Sequence, residues 1–220
     1  MATRPQPPEP QRPASRLYLV APPATDPARL ADAIAAALGA ADVAAVLVPI
    51  TGDDERALLN SVKALAASVQ SAGAALLLDG RADLVARAGA DGAHLAGIDE
   101  FSAAVASLKP DRIAGCGGLA TRHDAMSAAE SGADYVMFGE PDERGHRPSF
   151  DAVLERVAWW AEVFEIPCVG YAAHPDEIAP LTAAGADFVA VGGFIFDDPR
   201  GVAAAMKDAM ARLVIPEAVE

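Results

Sequence analysis

The 220-residue chain has few cysteines, few lysines, few aromatic residues and little positive charge, and each scarcity excludes something. With only Cys116 and Cys168 there is no disulfide framework. Both lie in or beside strand-like segments, where a small apolar side chain serves as core, so both are expected as buried thiols. Lys and Arg total 17 against 31 Asp and Glu, a formal charge of −14. A nucleic-acid or anionic-membrane surface needs clustered cations, so neither partner is expected. No apolar run approaches the roughly 18 to 20 residues that span a bilayer, and the N-terminus has no apolar secretory core, which gives a cytoplasmic expectation.

What is present is apolar residue in quantity, 52% of the chain, enough for one full core. The first fifteen residues carry five prolines and almost nothing to bury, so 1–15 is expected as a disordered Pro-rich tail, 16–214 as one domain and 215–220 as a flexible end. From Arg16 onward short β-type runs alternate with Ala-rich stretches of helical spacing. The runs are near Leu17–Val20, Ala45–Val48, Ala75–Leu78, Gly92–Leu95, Arg112–Gly115, Tyr135–Phe138, Cys168–Gly170 and Phe188–Val191. Helices are expected at about 26–38, 53–71, 81–88, 100–108, 122–131, 149–164, 175–184 and 199–213. Eight βα units predict an α/β fold, a single-domain (β/α)8 TIM barrel. An open dinucleotide-binding sheet is disfavoured, because no G-x-G-x-x-G follows the first strand. Helices repeatedly end at glycine and turn into strands through Gly89-Ala90-Asp91, Gly132-Ala133-Asp134 and Gly185-Ala186-Asp187, with related turns at Gly39 and Gly73. Glycine there supplies a left-handed cap, so these turns and their aspartates are expected to be structural.

In a parallel barrel, chemistry gathers where the strands end. Those positions hold Asp79 and Arg81 after strand three, His94 and Asp99 around strand four, and Cys116-Gly117-Gly118 after strand five. Glu140, Asp142, Arg144, His146 and Arg147 follow strand six, Tyr171 and His174 strand seven, and Gly192-Gly193 strand eight. Asp79 and Asp99 are the candidate metal ligands, for Mg²⁺ bridging a phosphorylated substrate; a helix cap and a solvated carboxylate are the bland alternatives. Gly192 and Gly193 are candidate phosphate-binding residues through exposed backbone N–H groups, with a plain tight turn as the alternative. Arg144 and Arg147 form the compact basic cluster of this end and are candidates to clamp phosphate, against a surface salt-bridge role. Arg147 and His146 are the candidate catalytic residues, with His94 and His174 as further acid–base groups or merely solvated rings. Lys63, Lys109 and Lys207 fall on helices or at the opposite end of a strand, so Schiff-base chemistry is excluded. Trp159-Trp160 predicts one ring buried and one half-exposed, and leaves room for a homo-oligomer.

The run Leu78-Asp79-Gly80-Arg81-Ala82-Asp83-Leu84 followed by Gly89-Ala90-Asp91-Gly92-Ala93-His94-Leu95 resembles the thiamine-phosphate synthase and thiazole tautomerase family. That family's pattern there is N-D-R-x-D-L, then G-A-D-G-V-H-L-G-Q-x-D. Gly132–Gly139, Ile166–Val169 and Ala184–Val191 match its G-A-D-Y-V-x-F-G, I-P-V-V and A-G-A-D-G-V-A-V. The resemblance implies a TIM barrel that joins a hydroxymethylpyrimidine diphosphate to a thiazole phosphate with release of pyrophosphate, using Mg²⁺. It places Asp99 at the second metal aspartate and Arg147 where a lysine contacts pyrophosphate. It also shows departures. Leu47-Val48-Pro49-Ile50-Thr51 replaces Q-x-R-x-K, Gly80 stands at the first metal aspartate, Ala172-Ala173 replaces a Gly pair, and Gly115-Cys116-Gly117-Gly118-Leu119 replaces G-x-S-x-H. The expectation is therefore a divergent member that couples or binds phosphorylated pyrimidine- or thiazole-type molecules, a pyrophosphate-releasing transferase if active. A non-catalytic barrel that binds a phosphate metabolite and a thiazole tautomerase-like isomerase are the alternatives.

Overall fold

Asp26, Asp54, Thr121 and Ser149 each stand just ahead of an Ala-rich amphipathic stretch, and each starts a helix by accepting backbone N–H groups of its first turn. Thr121 and Asp124 complete a reciprocal capping box. The computed structural model describes residues 13–23, 26–50, 52, 54–142 and 144–213. Within them the order is β1 (Arg16–Val20), α1 (Pro27–Leu38), β2 (Val43–Pro49), α2 (Glu55–Ser71), β3 (Ala75–Asp79), α3 (Val85–Ala88), β4 (Gly92–Ala96), α4 (Ile98–Leu108), β5 (Ile113–Gly117), α5 (Arg122–Glu130), β6 (Tyr135–Phe138), α6 (Phe150–Val163), β7 (Cys168–Ala172), α7 (Ile178–Ala183), β8 (Phe188–Val191), α8 (Gly193–Phe196) and α9 (Val202–Ala211). Short 3₁₀ turns, Ala82–Leu84 and Pro175–Glu177, lead into α3 and α7.

All eight strands are parallel and each pairs with its sequence neighbours, β8 closing on β1 to form the expected barrel. Two apolar layers result from strand alternation. Tyr18, Leu47, Leu77, Met137, Val169 and Ala190 fill the inside. Leu19, Val46, Leu78, Cys116, Val136 and Cys168 face the helices, so both thiols are core. Trp160 is fully buried, its indole N–H donating to the Ile166 carbonyl at 2.7 Å, while Trp159 is half-buried. No helix among the described residues is long and apolar enough to cross a membrane.

Three boundaries differ from expectation. β5 runs on through Cys116 and Gly117, so these are strand residues and not loop. The last helical region opens with the separate turn α8 directly after β8. The expected tail, 1–15, lies mostly outside the described residues, as does 215–220; Ser15, however, donates its hydroxyl to the Ala186 carbonyl at 2.6 Å.

The Gly-Ala-Asp turns sit at the end of the barrel opposite the mouth, and their aspartates do the same job three times. Asp91 donates its N–H to the Leu76 carbonyl and accepts the Leu76 N–H; Asp134 does so with Ala114, and Asp187 with Cys168. Each carboxylate thus adds a bond between adjacent strands at their N-terminal ends. Gly73, Gly89, Gly132 and Gly185 have the left-handed φ expected of them, whereas Gly39 caps α1 with ordinary helical φ. Asp42 differs too: it makes an exposed two-point ion pair with Arg16, whose hydrogen bond holds the carboxyl below its ordinary range.

Replacing Asp187 with Ala leaves the Cys168 N–H without its acceptor in a partly buried place, and is expected to lower unfolding free energy by about 1–3 kcal/mol. Asp42→Ala removes only an exposed pair and should cost less than about 1 kcal/mol. Urea melts of both variants check the ranking.

Candidate active site at the barrel mouth

Strand alternation decides which side chains reach the barrel axis. Asp79 is the last residue of β3 and pairs in register with His94, which pairs in turn with Gly115. His94 is therefore an inward residue in mid-strand, its side chain only 5% exposed, and not the loop group expected from its place near the strand end. Its Nδ1 lies 2.9 Å from the Tyr135 hydroxyl, and that hydroxyl lies 2.8 Å from the hydroxyl of Tyr18. On the other side, Nε2 lies 3.5 Å from Glu140 Oε1. One polar chain thus runs up the axis from β1 through β6 and β4 to the β6–α6 loop.

Two glycines make room for it. A Cβ on Gly115 would overlap the phenol of Tyr135, and a Cβ on Gly117 would overlap Glu140 Oε1 and crowd His94 Nε2. Glu140 also accepts the Gly118 N–H through the same oxygen, leaving Oε2 buried with no partner among the described residues. Cys116, between the glycines, points outward, and burial followed by the charge of Glu140 pushes its thiol up to about 12, so it is no nucleophile.

Asp79 reaches solvent at the mouth, yet partial burial raises its carboxyl above the ordinary range; Glu140 adds to the rise and His94 opposes it. Gly80 and Arg81 follow with left-handed φ of 66° and 44°, and Arg81 turns away into a two-point pair with Asp83. Asp99 stands exposed in the first turn of α4. Its neighbour Glu100 turns back to accept the Ala96 N–H, and lies 3.6 Å from where a Cβ on Gly80 would stand. The described residues bring no three His, Cys, Asp or Glu side chains together in a metal-holding group. With Gly80 at one expected ligand position, the residues present do not fit a Mg²⁺ held by the protein alone.

Arg147 is the cation of the other half of the mouth. Its guanidinium donates to both oxygens of Glu177, at 3.1 and 3.0 Å, to the Gly139 carbonyl and to the Tyr171 carbonyl, and it lies over the Tyr171 ring. The two charged side chains are 20% and 13% exposed. Glu177 also accepts the Ala173 N–H. Arg147 therefore straps the β6–α6 loop to β7. Arg144 and His146 are exposed and are not gathered with it; the Asp142 carboxylate organises their loop by accepting both of their N–H groups, which holds its own carboxyl low. His174 is exposed ahead of its 3₁₀ turn. Gly192 and Gly193 lie at the end of β8 and the start of α8, and a Cβ on Gly192 would stand 3.5 Å from the Tyr171 hydroxyl. Tyr171 thus joins Arg147 to the glycine pair.

The expected groups accordingly fall into an inner set, Asp79 and His94, and an outer set, Arg147, Gly192 and Gly193. The sequence reading passed over Tyr18, Tyr135 and Glu177 and gave Glu140 no role. The available signal was glycine at 115 and 117, two successive inward positions left empty for side chains from another strand.

Arg147→Ala strands the Glu177 carboxylate in a mostly buried place and should cost about 2–4 kcal/mol, against roughly 0.5 or less for Arg144→Ala, by urea melts. Burial, the leading cause, raises both Tyr18 and Tyr135 above the ordinary phenol value. Folding therefore favours their protonated forms, and this stability is complete below pH about 10 and is lost as pH rises beyond it. Urea midpoints should fall between pH roughly 9.5 and 11, and less steeply in Tyr18→Phe.

A family model described as thiamine monophosphate synthase matches residues 17–195. The thiamine-phosphate synthase of Rhodospirillum centenum is 42% identical over 196 residues, covering 88% of this chain and 95% of that protein. That of Hyphomonas neptunium is 36% identical, covering 89% and 92%. Among solved structures, the thiamine phosphate pyrophosphorylase from Pyrococcus furiosus superposes with a TM-score of 0.74 at 20% identity over 90% of this chain and 95% of that one, a likeness of fold. The strands that build this mouth all lie within the matched span, and the chain belongs to the thiamine monophosphate synthase family.

Proposed function

We propose that the protein is a divergent thiamine-phosphate-synthase-like barrel that binds a small phosphorylated molecule of the pyrimidine or thiazole type in its mouth. The observation that carries this reading is the outer set on its one platform: Tyr171 touches the Arg147 strap and reaches the glycine pair that opens α8. A short helical turn entered through two glycines offers N–H groups to a phosphate at close approach, since the first amides of a helix have no internal partner. The ligand's ring then faces Asp79, His94 and Glu140 across the mouth.

The second reading is coupling of the two heterocycles with release of pyrophosphate; the relatives' names state thiamine-phosphate synthesis for those proteins. Family membership and Asp99, at the family's second metal-aspartate position, favour it. Mg²⁺ would then arrive with the substrate's phosphates, which is how this ion is commonly bound. The replaced groups of the β5 loop favour binding without coupling.

Calorimetry with thiazole phosphate and hydroxymethylpyrimidine phosphate, with and without Mg²⁺, tests the first reading. One of the two is expected to bind, and Gly193→Asp, which sets a carboxylate against the phosphate, to weaken it at least roughly tenfold. No heat from either compound would sink the reading. Thiamine phosphate formed from the diphosphate and the thiazole phosphate would favour the second.

A further inference from the structure

The β5 side of the mouth has the makings of an anion receptor. Gly117 leaves open space, Gly118 offers a backbone N–H into it, and the Nε2 edge of His94 faces the same space. Yet a side chain of this chain already fills it. Glu140 Oε1 accepts the Gly118 N–H, lies 3.5 Å from His94 Nε2 and takes the volume that a side chain on residue 117 would need. Oε2 is buried beside it with no partner among the described residues. The side chain is 17% exposed, so the carboxylate is packed into the wall and does not wave over the entrance. The groups around it deepen the negative field: Asp79 from β3 adds a second carboxylate, while Tyr18, Tyr135, Tyr171 and Cys116 all feel the charge of Glu140. Of the cations nearby, Arg147 is committed to Glu177, and Arg156 donates to the Leu119 and Ala120 carbonyls just beyond Gly118.

We propose that Glu140 is a specificity-determining residue that closes the β5 side of the mouth to anions, so that the protein takes a ligand with a single phosphate and refuses a diphosphate. A lone phosphate can lie at the β8 end, away from Glu140. A second phosphoryl group extended toward Gly117 and Gly118 meets an occupied N–H donor, filled volume and two carboxylates. Like charges brought together without water between them are strongly repelled. The inference narrows the ligand class of the function proposed above and rests on that reading for the place of the single phosphate, but the role of Glu140 is tested separately.

The experiment titrates inorganic phosphate and inorganic pyrophosphate, without Mg²⁺, into the full-length wild type, Glu140→Gln, Glu140→Ala and, as a control for bulk charge, Asp142→Asn, after circular dichroism has shown each to be folded. Glu140→Gln keeps the shape and an acceptor for Gly118 while removing the charge; Glu140→Ala also empties the volume. Wild type and Asp142→Asn are expected to bind pyrophosphate no more tightly than phosphate. Pyrophosphate affinity should rise at least roughly tenfold in Glu140→Ala and less in Glu140→Gln, with phosphate affinity unchanged. The inference is overturned if wild type already prefers pyrophosphate, if neither Glu140 variant gains it, or if Asp142→Asn gains as much. Phosphate that binds no variant while pyrophosphate gains on Glu140→Ala would sink the phosphate place at β8 and leave the role of Glu140 standing. Phosphate binding throughout with no pyrophosphate gain would do the reverse.

Discussion

Two phenols and an imidazole lie inside a closed apolar barrel, where an unpaired buried polar atom costs about 1–3 kcal/mol. The only way to keep all three is to pair them with one another, and the chain does so in a single file from Tyr18 through Tyr135 to His94 and on to Glu140. This file fixes much else. Tyr135 needs the space that Gly115 leaves, and Glu140 needs the space that Gly117 leaves, so β5 must be nearly bare on its inner face. The file also links β1, β4 and β6 across the barrel, whereas strand hydrogen bonds join only neighbours. Below the tyrosines, alanines at 45 and 75 leave an apolar pocket of about 120 Å³ lined also by Leu77 and Val169.

The same file sets the electrostatics of the mouth. Its upper end is a carboxylate, and the inner half of the mouth holds Asp79 as well, while the guanidinium of the outer half is matched by Glu177. Two further cations stand at this end among the described residues: Arg144 is exposed on the β6–α6 loop, and Arg156 donates to the Leu119 and Ala120 carbonyls beside β5.

The barrel was legible in the sequence because its signals are local and repeated. Eight apolar runs, Gly-Ala-Asp turns and capping residues each depend on a few neighbours in the chain, and the structure returns them within a few residues. The site was legible only in outline. Strand ends pointed to Asp79, Arg147 and the Gly192-Gly193 pair, which the structure has just at or after β3, β6 and β8, but ending β5 at Gly115 hid the inward set of Gly117. Counting Arg144 and Arg147 as one cluster assumed that closeness in sequence meant closeness in space. The Asp142 turn instead leaves Arg144 and His146 in solvent, while Arg147 goes to a carboxylate thirty residues on. Such long-range pairings leave no periodic trace, and Glu177 has none.

The two ends of the barrel are held by different contacts. At the closed end, the carboxylates of Asp91, Asp134 and Asp187 each satisfy an N–H at the start of a strand. At the open end, the residues at positions 80, 117, 118 and 119 can change without loosening those bonds. Yet the changes there are not independent of one another. A serine at 117 and a glutamate at 140 compete for one volume, so the arrival of one requires the other to leave or to turn outward. A side chain at 117 and the carboxylate of Glu140 in its present place therefore exclude each other, and only a swing of Glu140 away from β5 would admit both.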